Sequence, residues 1–214
     1  MAAGPHWDAD SPELRANLKR VSQAMRRHAE ARNALNAANI KGWHADMMKG
    51  LSVPEAADVG VSESDLKGAF RGPPRLAHVT VTIGIHEGVA PDRVLGEVGA
   101  LLERVAITVA VLDEAIGSKA PARFTRDELR AVCELAGTLH GEWVRIHPFG
   151  NGNGRMARLL ANWVLMRYGI EPVLSPRPRP EGLYELAARA SMHGRHDVMV
   201  LCILSEIEAA AGRS

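Results

Sequence analysis

Residues 150–154 read Gly-Asn-Gly-Asn-Gly, and no other stretch of the chain restricts its own fold so tightly. Three glycines and two asparagines in five positions cannot sit inside a helix, because glycine loses the most backbone entropy and Asn competes for backbone hydrogen bonds. Arg155 to Tyr168, directly after them, reads as an amphipathic helix with Met156, Leu159, Leu160 and Trp163 at helical spacing. A glycine-rich turn therefore opens onto a helix N-terminus. There, backbone N–H groups can converge without Cβ interference, and the helix dipole favours negative charge. Arg155 and Arg158 stand three apart on one face, and Asn162 continues that polar stripe. His147 enters just ahead of the turn. One imidazole, a backbone anion nest and two guanidinium groups thus converge on a site for a phosphorylated ligand, a nucleotide, with a base beside it.

The rest of the composition narrows the class. A net charge of +1 supplies no bulk field for nucleic acid or for a membrane surface. Cys133 and Cys202 lie in apolar helical patterns and read as buried free thiols, which suits a reducing compartment. The N-terminus lacks the basic-then-apolar order of a signal peptide, and no apolar run approaches the ~20 residues of a membrane span. A soluble, cytoplasmic protein is expected, without nucleic-acid or membrane partners.

In chain order, residues 1–10 read as a flexible tail and residues 11–214 as a single domain. Ser11-Pro12-Glu13 starts a helix, with a serine cap and proline in the first turn. Helical pattern then continues to Leu51, as two helices whose break the pattern does not place. His28 and His44 in these helices read as surface or core-edge histidines, and Arg26-Arg27-His28 as a solvated face. Residues 52–75 are punctuated by glycine and proline and read as loop. His78–Ile83 alternates with period two and is rich in β-branched residues, so it reads as a strand, and Gly84 and Gly88 bracket the return of a short hairpin. Helices follow over 91–117 and from the capping box at Thr125–Glu128, whose apolar side includes His140 as a core histidine. Ser175–Pro180 is a stiff basic connector, read as a surface loop. Two helices close the chain, around Leu183–Met192 and Asp197–Ala211. The fold class is all-α with one small β-hairpin.

The central stretch HPFGNGNGRMAR, His147 to Arg158, resembles the Fic-domain signature His-x-Phe-x-(Asp/Glu)-Gly-Asn-Gly-Arg-x-x-Arg. It departs from it at one fixed position, where Asn151 replaces the acid. The lead-in LHGEWVRIHPF, the exit helix RLLANWVLMRYG, and Gly68-Ala69-Phe70-Arg71 followed by VTVTIG resemble the family's flanking segments, so the resemblance spans about residues 37 to 205. It implies a mostly helical Fic fold with the hairpin, about residues 76–90, as a flap beside the active site, where Thr80, Val81 and Thr82 would register an extended target segment.

The implied reaction is transfer of AMP from ATP to a Ser, Thr or Tyr hydroxyl of a target protein. His147 would be the general base, Gly152, Asn153 and Gly154 the nest, and Arg155 and Arg158 the clamp on the β- and γ-phosphates. Phe149 would anchor the loop in the core and Pro148 pre-set its backbone. The expected cation is Mg²⁺, with Mn²⁺ as its substitute. Asn151 would hold it weakly, since a hard cation prefers carboxylate to amide oxygen. The family's inhibitory pattern, (Ser/Thr)-x-x-x-Glu-(Gly/Asn), has no match, Ser205-Glu-Ile-Glu208 having the wrong spacing. Three alternatives follow: a separate antitoxin-like inhibitor supplies the glutamate as a partner, the control is unlike the family's usual one, or there is none. Two alternatives stay open: a non-catalytic nucleotide-binding or interaction module, favoured by Asn151, and a Doc-like protein kinase, disfavoured because Doc-type motifs carry Lys where Gly154 stands.

Overall fold

Helix α5 (Asn153–Arg167) is sunk in the core, with every one of its residues except Gly154 buried. The computed structural model describes residues 4–212. Before α5 come α1 (Pro12–Glu30), α2 (Ala37–Met47), a 3-10 turn at Pro54–Val59, strands β1 (Thr82–Ile83) and β2 (His86–Glu87), α3 (Pro91–Ile116) and α4 (Arg126–Ile146). After it come α6 (Leu183–Ser191) and α7 (Asp197–Ala211). Helices α4 and α1 lie directly against α5, while α3, α6 and α7 pack on α4. The fold is mostly helical with one two-stranded antiparallel hairpin. No helix among the described residues is long and apolar enough to cross a membrane.

The polar stripe read on α5 does not face water, because internal partners satisfy it. Asn162 donates to the Leu174 carbonyl (2.7 Å) and accepts from its N–H (3.1 Å). Arg167 pairs with Asp113 (2.6 Å) and donates to the Asn33 carbonyl (3.0 Å). A helix that is apolar on one face can thus be buried all round when each polar group meets a complement.

Local chemistry sets the ends of the elements. The Ser11 hydroxyl accepts from Leu14 N–H (3.1 Å), and Thr125 and Glu128 form the reciprocal capping box of α4. The break between α1 and α2 falls at Arg32, whose φ is 52°, and Asn36 caps α2. His28 accepts from the Trp163 indole N–H (3.1 Å), which makes it a half-buried core-edge histidine. Both cysteines are buried free thiols.

Two expectations need correction. The strand read over 78–83 survives only at Thr82–Ile83, paired Thr82 to Glu87 and Ile83 to His86. Val79 is held instead by a turn, its N–H donating to Leu76 (3.2 Å), and its carbonyl accepts from Arg71 (3.1 Å), so it is lost to any ladder. The flexible tail expected over residues 1–10 does not describe residues 4–10; residues 1–3 lie outside the described residues. His6 bridges Ser52 in parallel, with Ser52 N–H donating to Pro5 (2.8 Å) and Trp7 N–H to Ser52 (2.9 Å). Glu55 accepts from His6 (2.7 Å) and from the Trp7 indole (3.2 Å).

Candidate functional site

Helix α4 ends at His147, whose φ of 54° and ψ of 56° put it in the left-handed region and turn the chain sharply. Such a conformation in a non-glycine residue is uncommon and calls for compensation. Here the compensation is internal. The ring Nδ1 lies 3.1 Å from the Val144 carbonyl, which only accepts, so Nδ1 carries the proton and the Nε2 lone pair is left to act. Burial, with the Arg71 cation adding to it, holds the imidazole well below its ordinary value, to about 4, against the opposing Val144 bond. His147 is therefore neutral at pH 7.

The loop after it is pinned from inside. The Phe149 ring is fully buried, stacked on His44 at 3.7 Å between centroids and close to Phe70 at 4.9 Å. Asn153 bonds reciprocally to the Phe149 backbone, accepting from its N–H (2.9 Å) and donating to its carbonyl (2.8 Å). Gly152 has a φ of 67°, a left-handed backbone that favours glycine. His44 supports the loop from behind: Gly68 N–H donates to its Nδ1 (2.9 Å), which leaves Nε2–H to donate to the Asn151 carbonyl (3.1 Å). Burial pushes this imidazole down to about 3, so it stays neutral. The first helical bond of α5 runs from Met156 N–H to Gly152, which leaves the Asn153, Gly154 and Arg155 amides without intrahelical partners at the positive end of the dipole.

Arg155 and Arg158 are each 4 % exposed, and both line one cavity of about 930 Å³ together with His147, Asn151, Gly152 and Gly154. Arg158 donates to the Tyr184 hydroxyl and to the Pro176 carbonyl (both 2.9 Å). The same hydroxyl is hydrogen-bonded to His140 Nε2, 3.0 Å away. Arg155 donates to the Trp7 carbonyl (2.9 Å), stacks on the Trp7 ring at 5.0 Å and lies 3.6 Å from Asp8. Of the buried groups without a hydrogen-bond partner among the described residues, three belong to residues that line this cavity: Arg155 Nη2, Arg158 Nε and both polar atoms of the Asn151 amide. Buried polar atoms left unpaired beside a cavity are the ordinary mark of a missing ligand.

The model of the Fic/DOC family matches residues 34–165. The chain belongs to that family. It is 46% identical over 61 residues to "Protein adenylyltransferase Fic" of Nematostella vectensis, a stretch covering 28% of this chain and 14% of that protein. It is 51% identical over 43 residues to "Protein adenylyltransferase fic-1" of Caenorhabditis elegans, covering 20% and 8%. The matches therefore span a small part of these relatives. Among solved structures, a Fic-domain-containing signaling protein from Bacteroides thetaiotaomicron VPI-5482 superposes with a TM-score of 0.55 at 17% identity, covering 94% of this chain and 74% of the other. A Fic family protein from Desulfovibrio desulfuricans G20 gives 0.50 at 18% identity, covering 96% and 55%. These two likenesses show the fold.

The Fic/DOC chain holds its hairpin against the signature loop through one side chain. Arg71 is completely buried and donates to four carbonyls: Val79 (3.1 Å) and Val89 (2.9 Å) on the two arms of the hairpin segment, and Ile146 (3.1 Å) and His147 (2.8 Å) at the end of α4. Among the described residues no carboxylate pairs with it; carbonyl dipoles replace the lost hydration, and desolvation lowers its pKa only to about 10. Gly88 lets the hairpin come this close, since a Cβ there would sit 2.8 Å from Val81 and 3.1 Å from the His147 Cβ. Thr80, Val81 and Thr82 consequently line the same cavity as His147.

Every residue read from the sequence as part of the site therefore reaches one cavity. Sequence reading missed Trp7, Asp8, His44 and Tyr184. Trp7 and Asp8 fall in the stretch that reads as a tail, His44 reads as a surface or core-edge histidine, and Tyr184 lies 26 residues beyond the arginine it holds. Only Arg71 carried a local signal, as the last residue of Gly68-Ala69-Phe70-Arg71.

Proposed function

We propose that this chain transfers AMP from ATP to a hydroxyl group of a target protein. The observation that carries the reading is His147: a neutral imidazole with its Nδ1 proton tied to Val144, standing at the cavity that also takes the loop glycines and both signature arginines. The adenylyltransferase names of the partly matched relatives support the same chemistry.

In this reading His147 Nε2 accepts the proton of a Ser, Thr or Tyr hydroxyl as its oxygen attacks the α-phosphorus. The new P–O bond forms while the α–β bridge breaks, and pyrophosphate leaves. A positioned base contributes typically ~10²–10⁴-fold, and nearby phosphate charge would raise the imidazole pKa toward neutrality as it takes up the proton. Backbone amides around Gly152, Asn153 and Gly154 receive the phosphate oxygens, and Arg155 and Arg158 hold the β- and γ-phosphates by two-pronged donation. The hairpin edge at Thr80–Thr82 takes the target as an added strand, where main-chain pairing sets its register.

The residues present fit a divalent cation in one respect. Asn151 is 7 % exposed and its side-chain oxygen is unpaired, a hard neutral donor that suits Mg²⁺ or Mn²⁺ alongside phosphate oxygens and water. When bound, the cation would neutralise phosphate charge.

The test is labelling with α-³²P-ATP and γ-³²P-ATP, with Mg²⁺ and then Mn²⁺, for the wild type and His147→Ala, with cell lysate as a source of targets. Label from the α position alone, reduced ~10²–10⁴-fold in the variant, is expected. Label from the γ position would replace the reading with a kinase. No label despite ATP binding would leave a binding module.

A further inference from the structure

The connector Ser175–Pro180 brings an arginine to the site that the proposed reaction leaves unused. Arg177 lines the same cavity as Arg155 and Arg158, and its Nη1 lies 3.3 Å from Asp8 Oδ1. That same oxygen lies 3.6 Å from Arg155 Nη2, the buried nitrogen with no hydrogen-bond partner. One carboxylate oxygen therefore sits between two guanidinium groups, one of them 4 % exposed. The arginines also feel one another: burial lowers Arg155 to about 10, the charges of Arg177 and Arg158 push the same way, and only Asp8 opposes them.

We propose that the Asp8 carboxylate marks an anion subsite built by Arg155 and Arg177, that the terminal phosphate of a nucleoside triphosphate takes this subsite, and that residues 5–10 are displaced when it does. The proposal rests on the nucleotide reading of the cavity and adds a third guanidinium to it. The two occupants differ in strength. Asp8 offers a single negative charge on a side chain that is 56% exposed, an arrangement of little net worth. A terminal phosphate offers up to two charges and three acceptor oxygens, enough to fill Arg155 Nη2 and Arg177 together. The connector suits a fixed donor. Prolines stand on both sides of Arg177, and its carbonyl accepts from the Ser175 hydroxyl (2.9 Å). The other hydrogen bonds that Pro5, His6 and Trp7 make outside this strap, residues 5–10, run to Ser52 and Glu55 and involve none of the helices α1–α7, so lifting these residues breaks those bonds but no helix.

Isothermal titration of the full chain with ATP, ADP and AMP, with and without Mg²⁺, separates the roles in Arg177→Ala and Asp8→Ala. Both positions are partly exposed, and a thermal melt of each variant checks the fold. Arg177→Ala is expected to weaken ATP about tenfold and to leave AMP unchanged, while Asp8→Ala tightens ATP several-fold and leaves AMP unchanged. Opposite signs are the signature, since simple damage to the cavity would weaken both nucleotides in both variants. Wild-type ATP affinity in Arg177→Ala, or an equal loss for AMP, would overturn the subsite while leaving AMP transfer standing. Weaker ATP binding by Asp8→Ala only when Mg²⁺ is present would make Asp8 a cation ligand and overturn the displacement. Absence of ATP binding in all three proteins would overturn the nucleotide reading itself, and the subsite with it.

Discussion

One buried arginine, Arg71, bonds the backbone of His147 and another, Arg155, lines its cavity, and their surroundings assign them different work. Arg71 is sealed in protein and spends its donors on four backbone carbonyls that join the hairpin to the end of α4. Arg155 is nearly as buried, yet its Nη2 has no hydrogen-bond partner and its Nη1 donates to Trp7 of the N-terminal segment. Burial alone therefore says little about what an arginine does. A guanidinium whose nitrogens are all matched holds the fold together, whereas one with an unmatched nitrogen at a cavity waits for a ligand.

The contrast is sharpest in stability. Arg71→Met strands four buried carbonyls and is expected to cost more than about 3 kcal/mol, or roughly 6–12 °C in Tm by thermal melt. Arg155→Met removes a cation whose donors are not fully used. It should stay within about 1 kcal/mol of the wild type, yet lose most ATP affinity in a titration. Equal destabilisation by the two would break the comparison.

Acid should act on both sides of the site. Burial holds His44 and His140 down to about 3 and His147 to about 4, so the folded chain binds fewer protons than the unfolded chain below their ordinary value. Their stabilisation is present at pH 7 and is lost as pH falls. One pH unit below ~6.5 each costs about 1.4 kcal/mol, and melts between pH 7 and pH 5.5 should show a cooperative drop. If His147→Gln shows the same acid drop as the wild type, that histidine has no share in it.

The smallest effect belongs to the strap. Asp8→Ala should change stability by less than about 1 kcal/mol, because its ion pairs are largely exposed. A large loss on melting would mean that residues 4–10 are structural cement, like Arg71, and not a cover that a ligand can lift.

The sequence by itself determined most of the helices, the caps at Ser11 and Thr125, and the signature loop. These depend on neighbours: Thr125 and Glu128 meet because they are three apart, and Gly152 is glycine because its own φ is 67°. Local pattern also carried His147, the loop glycines, Arg155 and Arg158 as a group. It could not say that the polar stripe of α5 would be buried, since that depends on Leu174, Tyr184 and Trp7 arriving from elsewhere. Nor could it shorten the strand at 78–83, because the side chain that takes the Val79 carbonyl comes from Arg71. The N-terminal residues mislead most. Nothing in their own composition pairs them with Ser52 or sets Asp8 between Arg155 and Arg177; only the packed chain, with sequence separations of more than a hundred residues, brings those charges together.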